Sequence, residues 1–338
     1  MHFVSILTFQ SRDFGFFRRD RKAIDLVVVL WVHSKVFANF RIVDRHLRRL
    51  EQAFPNLSFV HCKTKEQFLE ALPRADIACS LKFKTEWFAQ APRLRRLISP
   101  TAGRDWFPAE LPPGVRFEFS TFHGKIMAET VAGMMLCHAR GLLRACRLQK
   151  EQSWPILTME PALRLLKGSR VTVLGFGHIG SHIGRLVKCF GAVVNGLKRN
   201  PGERPEYFTE QDRLLPVERL DEVLPRTDHL VLCLPATAET TGILNGRRMA
   251  LLPGNAGIYN VGRGNALEEE ALEAHLEEHP LCEAYLDVFR EEPLSAESPL
   301  RNLPNCLILP HISANAPQYI DLFIDELIER LPQRLPSE

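Results

Sequence analysis

The sequence predicts an α/β fold with two doubly wound parallel sheets, on three observations. The chain has 338 residues, too many for one ordinary hydrophobic core and enough for two domains that each bury most of their apolar surface. Short, β-branched apolar runs alternate with helical patterns, as expected for parallel strands covered by helices on both faces. This alternation starts near Leu26 and starts again at Arg170, which indicates two separate sheets along the chain.

The first alternation predicts the elements of an N-terminal sheet. Residues 26–32 are short, apolar and β-branched, which favours a buried strand. The same criteria predict, in order, a helix at 36–54, a strand at 57–61, a helix at 65–71, and strands at 77–80, 97–99 and 115–119. A long pattern rich in Ala, Met and Leu then predicts a single helix over 126–152, which ends before Pro155 and leads into the second domain.

The second alternation predicts the other sheet. Strands are expected at 171–174, 193–197, 229–234, 257–260, 284–287 and 307–310, with helices over 178–190, 220–224 and 245–250. The last helix, 316–331, has no sequential partner and is expected to fold back on the first domain. Residues 1–25 are interpreted as a leader, in which a basic cluster follows a weak apolar stretch, the reverse of the order in a secretory signal.

Composition excludes several classes of function. Lys and Arg number 43 against 40 for Asp and Glu, so the net charge of +3 is too small to recruit nucleic acid. The longest apolar run is far shorter than the ~20 residues that a membrane-spanning helix needs. The eight cysteines include no pair at the spacing of metal knuckles or redox motifs, which favours reduced thiols in a cytoplasmic protein. The pairs His178/His182 and His275/His279 have no third ligand nearby, so no metal is expected.

The sharpest motif is a Gly-x-Gly-x-x-Gly turn between a predicted strand and a predicted helix. Gly175 would form the tight turn, Gly177 would let the backbone approach a pyrophosphate, and Gly180 would allow close helix packing. Free N–H groups at the helix start, near Ile179, would face the phosphate oxygens. The motif predicts a Rossmann-type dinucleotide-binding domain, and the alternative is an ordinary tight turn.

The end of the next strand bears on the choice of cofactor. An NAD site usually carries an Asp or Glu there, about 20 residues after the glycines, to bind the ribose hydroxyl. This chain has Lys198, Arg199 and Asn200 instead. Two cations attract a 2′-phosphate, so NADP(H) is favoured over NAD(H). The alternative is a solvated basic loop that tolerates either cofactor.

Three polar residues follow predicted strands behind the glycine turn. Arg263 stands between two glycines after the strand at 257–260, where its planar guanidinium suits bidentate capture of a carboxylate. Glu292 and His311 follow the next two strands as a candidate acid–base pair, because an ionised Glu favours the protonated imidazole. Singly these would be a surface Arg, a surface Glu and a core His. Their order behind a nucleotide turn favours a catalytic site.

This order of motifs, spread over residues 26–331, resembles the D-isomer-specific 2-hydroxyacid dehydrogenase family, which includes phosphoglycerate, glycerate, hydroxypyruvate and D-lactate dehydrogenases. The resemblance implies hydride transfer between NAD(P)H and a small 2-keto acid or D-2-hydroxy acid. It implies that Arg263 binds the substrate carboxylate, His311 is the general acid/base, and Glu292 keeps His311 protonated. The cofactor contacts that it implies are Gly175, Gly177, His178, Ile179 and Gly180 at the pyrophosphate, Asp287 at the nicotinamide amide, and Val261 and Leu234.

The resemblance also implies a domain arrangement. A flavodoxin-like substrate domain would comprise residues 26–122 and 312–338, with the Rossmann-type cofactor domain, residues 123–311, inserted into it. Residues 99–105 match the substrate loop of the family, whose backbone N–H groups at Ala102 and Gly103 would receive a carboxylate, although Arg104 replaces a commoner small residue. The helix after His123 resembles the dimer-forming segment, so a homodimer is expected.

Two other functions on the same scaffold stay open at this point. Formate dehydrogenases share the architecture but carry Gln where this chain has Glu292, and the acidic residue argues against them. A nucleotide-sensing transcriptional corepressor shares both the scaffold and the three polar residues, so the motifs do not exclude a binding protein without turnover.

Overall fold

The computed structural model describes residues 26–103, 107, 110–150 and 154–331. The leader 1–25 lies outside the described residues, as do Arg104 and Asp105 of the predicted substrate loop and the tail 332–338. The strands of the described part are β1 (Leu26–Trp31), β2 (Leu57–His61), β3 (Ile77–Ser80), β4 (Arg96–Ser99), β5 (Arg116–Phe119), β6 (Arg170–Leu174), β7 (Val193–Leu197), β8 (Arg213–Leu215), β9 (His229–Leu232), β10 (Gly257–Asn260), β11 (Glu283–Leu286) and β12 (Cys306–Ile308).

Helices cover both sheets. The α-helices of the described part are α1 (Asp44–Ala53), α2 (Lys65–Ala71), α3 (His123–Ala139), α4 (Leu142–Lys150), α5 (Ile156–Met159), α6 (His178–Cys189), α7 (Leu220–Val223), α8 (Gly246–Met249), α9 (Glu269–Glu278) and α10 (Tyr319–Arg330).

The strand order confirms the predicted fold class. The first sheet is parallel, with the order β2-β1-β3-β4-β5, which is the flavodoxin-like order. The second sheet is also parallel, with the order β12-β11-β10-β9-β6-β7-β8. Its strands β6 to β11 have the 3-2-1-4-5-6 order of dinucleotide-binding folds, and β12 extends that sheet at one edge.

The apolar strand β1 lies at the centre of the first domain. Alternate side chains of a strand point to opposite faces, so a strand that is covered on both faces is apolar throughout. Val28 and Leu30 pack on the face covered by α1 and α10, whereas Val29 packs with Phe68 of α2 on the other face. Phe323 of α10 belongs to the same cluster as Val28, so the C-terminal helix packs against the N-terminal sheet.

Two predicted helices differ from the structure. The single helix predicted over 126–152 is wrong, because α3 ends at Ala139 and α4 begins at Leu142. Gly141 between them has φ +62°, a left-handed conformation that ends a helix and that glycine adopts at little cost. The helix predicted from residue 36 begins only at Asp44, since the Ser34 hydroxyl accepts hydrogen bonds from the N–H groups of Val36 and Phe37 and holds this segment in a turn. Strand β8 and helix α9 were not predicted.

Candidate active site

Apart from the substrate loop at 99–105, the site residues that the sequence predicts lie along one edge of the second sheet. Because its strands are parallel, the loops that follow them leave the sheet at the same, carboxyl edge. In spatial order these loops carry His311 after β12, Asp287 and Glu292 after β11, Arg263 after β10, Leu234 after β9, the glycine turn after β6, and Lys198 with Arg199 after β7. Adjacent strands are about 4.8 Å apart, so the loops bearing the three candidate catalytic residues start within about 10 Å of one another.

The glycine turn has one closed side and one open side. Gly175 has φ +101°, and a Cβ on Gly180 would lie 2.3 Å from the Gly175 carbonyl oxygen. At Gly177, by contrast, no described heavy atom beyond its chain neighbours lies within 4 Å of the position that a Cβ would occupy. Helix α6 begins at the exposed His178 with no side-chain cap from the described residues, so its first amides, including that of Ile179, have no partner within the helix. These features fit a pyrophosphate, because the open backbone presents N–H donors.

Of the two cations at the end of β7, Arg199 acts on the loop that follows β9. Lys198 is half-buried and Arg199 is exposed. A hydrogen bond from Thr237 lowers the pKa of Glu239, and the positive charge of Arg199 contributes to that shift. Arg199 therefore acts electrostatically across the region between the two loops, on the same side of the sheet as the glycine turn.

Glu292 and His311 are in direct contact. The distance between Nδ1 of His311 and Oε2 of Glu292 is 2.7 Å, and the other carboxylate oxygen accepts the backbone N–H of Phe289 at 3.0 Å. A carboxylate only accepts hydrogen bonds, so Nδ1 carries the hydrogen of this contact. This leaves Nε2 of the half-exposed imidazole as the ring atom that can exchange a proton with another molecule.

The backbone around His311 is held by Asp287. Its carbonyl oxygen accepts the His311 N–H at 3.0 Å, and its carboxylate oxygens accept the N–H groups of Ile312 at 2.7 Å and Ser313 at 3.0 Å. Asp287 is fully buried, and His311 has φ +53°, the only positive φ at a non-glycine residue in the described part of the chain. Asp287 thus stabilises an uncommon backbone conformation, and its contact with a nicotinamide amide stays a prediction.

Arg263 lies in a loop that packs against the loop bearing Glu292. Its side chain is half-buried, and Nη1 donates to the carbonyl oxygen of Gly262 at 2.8 Å. The buried amide of Asn260 holds this loop, since it accepts from Gly262 N–H and donates to the Arg263 carbonyl, both at 3.2 Å. A Cβ on Gly264 would overlap the carbonyl carbon of Phe289 at 1.8 Å, so only glycine permits this packing.

Buried apolar residues line the sheet edge between the glycine turn and Arg263. Leu234 and Val261 are both buried, and Val261 donates its N–H to the end of β9. Burial raises the pKa of the neighbouring Cys233 thiol to about 12, although the Arg263 guanidinium acts in the opposite direction. This cysteine therefore stays a protonated thiol, which does not suit a nucleophile.

The predicted substrate loop follows β4 of the first sheet. Ser99 is fully buried, its hydroxyl accepts the N–H of Thr101 at 3.1 Å, and the Thr101 hydroxyl donates to the carbonyl oxygen of Gly103 at 3.1 Å. Ala102 is exposed and Gly103 half-buried. The loop is thus folded on itself, and its contact with a substrate stays a prediction.

Two supporting residues were missed by the sequence analysis. Asn260 could have been found, because a polar residue at the end of a buried strand, directly before the Arg263 loop, needs hydrogen-bond partners there. Thr130 of α3 donates to the carbonyl oxygen of Ser313 at 3.0 Å and so holds the segment after His311 from another helix. No pattern along the chain indicates that contact.

Within residues 26–103, 107, 110–150 and 154–331, no helix is long and apolar enough to cross a bilayer. The same residues contain no group of three or more His, Cys, Asp and Glu side chains arranged to hold a metal ion.

Comparison with known proteins identifies the family. A sequence model of the NAD binding domain of D-isomer specific 2-hydroxyacid dehydrogenases matches residues 132–313. The chain is 29% identical over 280 residues to glyoxylate/hydroxypyruvate reductase B of Yersinia enterocolitica, covering 80% of this chain and 84% of that protein.

Solved structures have the same fold. A D-isomer specific 2-hydroxyacid dehydrogenase from Xanthobacter autotrophicus Py2, in complex with NADPH and MES, superposes with a TM-score of 0.73 at 29% identity, over 90% of this chain and 94% of that one. An NADPH-dependent glyoxylate/hydroxypyruvate reductase from Sinorhizobium meliloti, in complex with NADP and sulfate, has a TM-score of 0.71 at 26% identity, over 93% and 97%.

Two parallel sheets, a glycine turn and a His–Glu pair at one sheet edge define a nicotinamide-dependent oxidoreductase. The chain belongs to the D-isomer-specific 2-hydroxyacid dehydrogenase family.

Proposed function

We propose that the protein interconverts a small 2-keto acid and the corresponding D-2-hydroxy acid, with Arg263, Glu292 and His311 as its catalytic residues. The observation that carries this proposal is the 2.7 Å contact between His311 and Glu292. Glu292 lies in the loop after β11, and Arg263 lies in the loop after the neighbouring strand β10. The nicotinamide, when bound, supplies or accepts the hydride at the second carbon of the substrate.

Each of the three residues has a separate role in the reaction. The Arg263 guanidinium binds the substrate carboxylate and polarises the carbonyl, because a planar cation stabilises the charge that grows on oxygen. In reduction, Nε2 of His311 gives its proton to that oxygen, and in oxidation the same atom removes it. Glu292 accepts from Nδ1 and so fixes the orientation of the ring, with Nε2 left as the atom that exchanges the proton. The backbone N–H groups of Ala102 and Gly103 complete the carboxylate site.

The favoured cofactor is NADP(H). Lys198 and Arg199 lie at the end of β7, where NAD-specific sites carry an acidic residue. Two of the solved relatives were obtained with NADPH or NADP. Gly175, Gly177, His178, Ile179 and Gly180 are proposed to hold the pyrophosphate, with Leu234, Val261 and Asp287 nearer the nicotinamide.

The favoured substrates are short 2-keto acids such as glyoxylate and hydroxypyruvate. Reductases of these two acids recur among the similar proteins. Formate is disfavoured, because it has no carbonyl oxygen that needs a proton from a His–Glu pair. A nucleotide-sensing binding protein would keep cofactor affinity but show no turnover.

The test replaces His311 with Asn. Loss of general acid catalysis should lower kcat by about 10²- to 10⁴-fold with NADPH and glyoxylate, hydroxypyruvate or phenylpyruvate, while the NADPH Kd stays the same. The control His279→Asn changes a histidine at the end of α9, away from this sheet edge, and should keep full activity. Full activity in His311→Asn would refute the role of this residue, and absence of turnover by the wild type with every acid would favour the sensor.

We further propose a cytoplasmic homodimer, with domain boundaries at 122/123 and 311/312. The segment after α4 exposes five large apolar side chains, Trp154, Ile156, Leu157, Leu163 and Leu165, with Trp154 89% exposed. Such a patch is unusual on the surface of a monomer. Sedimentation should give a dimer for the wild type and a monomer for Leu157→Glu, and a monomeric wild type would refute the assembly.

A further inference from the structure

The hydroxyl of Tyr319, at the start of α10, joins three distant segments of the chain. It donates a hydrogen bond to the carbonyl oxygen of Pro100, in the loop after β4, 219 positions away in sequence. It also lies 3.0 Å from Nε2 of His123, the first residue of α3. Tyr319 and His123 are each 2% exposed, so both contacts are shielded from water.

The directions of these hydrogen bonds follow from the donors available. A carbonyl oxygen only accepts, so the single hydroxyl hydrogen of Tyr319 points at Pro100. Nε2 of His123 must then donate to the phenolic oxygen. Burial lowers the pKa of His123 to about 4, so the ring is neutral near pH 7 and carries its one hydrogen on Nε2. Both hydrogen bonds form at the same time, and each one orients the other.

The same face of α10 also holds the segment that links β5 to α3. Glu326 lies seven residues after Tyr319, two helical turns along, and Oε2 accepts the N–H groups of Thr121 at 2.8 Å and Phe122 at 2.9 Å. The preceding residue, Ser120, donates its N–H to Ser99 at 3.0 Å. Helix α10 therefore braces the link between the sheets directly and the loop after β4 through Tyr319.

We propose that Tyr319 is a positioning residue for the substrate carboxylate, an inference that rests on the proposed function of the loop at 99–103. The Pro100 carbonyl and the Thr101 N–H belong to one planar peptide group, so a hydrogen bond on the oxygen also sets the direction of the N–H. That N–H donates to Ser99 Oγ at 3.1 Å and starts the fold of the loop. Tyr319 thereby orients the following amides of Ala102 and Gly103 toward the proposed position of the substrate carboxylate.

The test removes only the hydroxyl, as Tyr319→Phe. A carboxylate is bound equally in the ground state and the transition state, so its misplaced donors should raise KM for the keto acid and leave kcat nearly unchanged. One neutral hydrogen bond predicts a rise in KM of about three- to tenfold, with the NADPH Kd unaltered. The matched control is Tyr207→Phe, which loses a hydroxyl-to-carbonyl hydrogen bond of 2.8 Å to Ser181 in the cofactor domain and should keep the wild-type KM.

A second measurement does not depend on turnover. Amide hydrogen exchange at residues 101–103 should be faster in Tyr319→Phe than in the wild type and unchanged in Tyr207→Phe. Unchanged exchange at these amides, or a KM equal to that of the wild type, would overturn the proposal. A parallel rise of KM and NADPH Kd would also overturn it, because it would indicate a general loss of structure.

The failure of this proposal is distinguishable from failure of the proposed function. If the wild type turns over none of the keto acids, the proposed function fails. The exchange measurement then still decides whether Tyr319 holds the loop, with binding of oxalate to the wild type and to Tyr319→Phe as the measure of carboxylate affinity. Equal oxalate affinity in the two proteins would overturn the positioning role.

Discussion

The backbone N–H of His311 donates to the carbonyl oxygen of Asp287 at 3.0 Å, and the Asp287 carboxylate accepts the next two amides of the chain. One buried residue thus receives three consecutive backbone donors. The left-handed conformation of His311, at φ +53°, costs a non-glycine residue about 1 kcal/mol and persists because these hydrogen bonds offset it. The position of the candidate acid/base depends on this arrangement as much as on Glu292.

The first prediction concerns Asp287→Asn. An amide presents one acceptor and one donor group, so one of the two N–H groups would face another donor and lose its hydrogen bond. We expect the free energy of unfolding to fall by about 1–3 kcal/mol and keto-acid turnover to fall at least tenfold. Chemical denaturation and steady-state kinetics measure the two effects.

A control for Asp287 lies at the opposite edge of the same sheet. Among the described residues the Asp228 carboxylate accepts one backbone N–H, from Arg170 at 2.8 Å, which the side-chain oxygen of an Asn can still accept. Asp228→Asn should therefore keep both stability and activity. Wild-type kcat in Asp287→Asn would contradict the prediction.

The second prediction compares two glycines of the turn. A Cβ on Gly180 would meet the Gly175 carbonyl at 2.3 Å, so Gly180→Ala should displace α6, destabilise the protein by about 1–3 kcal/mol and abolish cofactor binding. The added methyl group of Gly177→Ala meets no described heavy atom beyond its chain neighbours within 4 Å, so this variant should keep the wild-type stability. Its methyl group would occupy the approach of the pyrophosphate, so its NADPH Kd should rise. Equal stability of the two variants would show that the turn is not packed as described.

The third prediction concerns the cations at the end of β7. Replacing both, as Lys198→Gln with Arg199→Gln, should raise the NADPH Kd about tenfold or more, because charge-assisted contacts to the 2′-phosphate are lost. NADH lacks that phosphate, so its Kd should stay within about twofold. Fluorescence titration with both cofactors measures the difference. An equal effect on the two would refute the preference for NADP(H).

The fourth prediction concerns stability at acid pH. Burial lowers the pKa of His123 to about 4, below the value of 6.5 for an exposed ring, so the unfolded chain takes up this proton first as pH falls. The free energy of unfolding therefore falls by up to about 3 kcal/mol between pH 6.5 and pH 4, and this group causes no further fall below that range. Burial of His229, which lowers its pKa to about 3, acts with the same sign.

Urea denaturation between pH 7 and pH 4.5 tests this dependence. The fall in the free energy of unfolding should be smaller in His123→Asn than in the wild type. The control replaces the exposed His33 with Asn, and the free energy of unfolding of this variant should depend on pH as in the wild type. An equal fall in the free energy of unfolding for His123→Asn and the wild type would contradict the contribution assigned to His123.

Much of the fold could be predicted because it depends on local patterns. The apolar runs at β1, β6 and β10 and the glycine turn are readable along the chain, since a buried parallel strand must be apolar throughout. Other boundaries depend on single backbone conformations. The break between α3 and α4 comes from the left-handed Gly141, and no apolar periodicity indicates it.

The sequence by itself determined the class of site, because Arg263, Glu292 and His311 follow successive strands, and parallel strands carry their following loops to one edge. Only the tertiary structure decided what holds those residues. The donors that orient Glu292 and Asp287 are backbone N–H groups, which are the same in nearly every residue and leave no mark in a sequence. The contact from Tyr319 to Pro100 spans 219 positions, and it exists because the packing of α10 on the first sheet brings the two together.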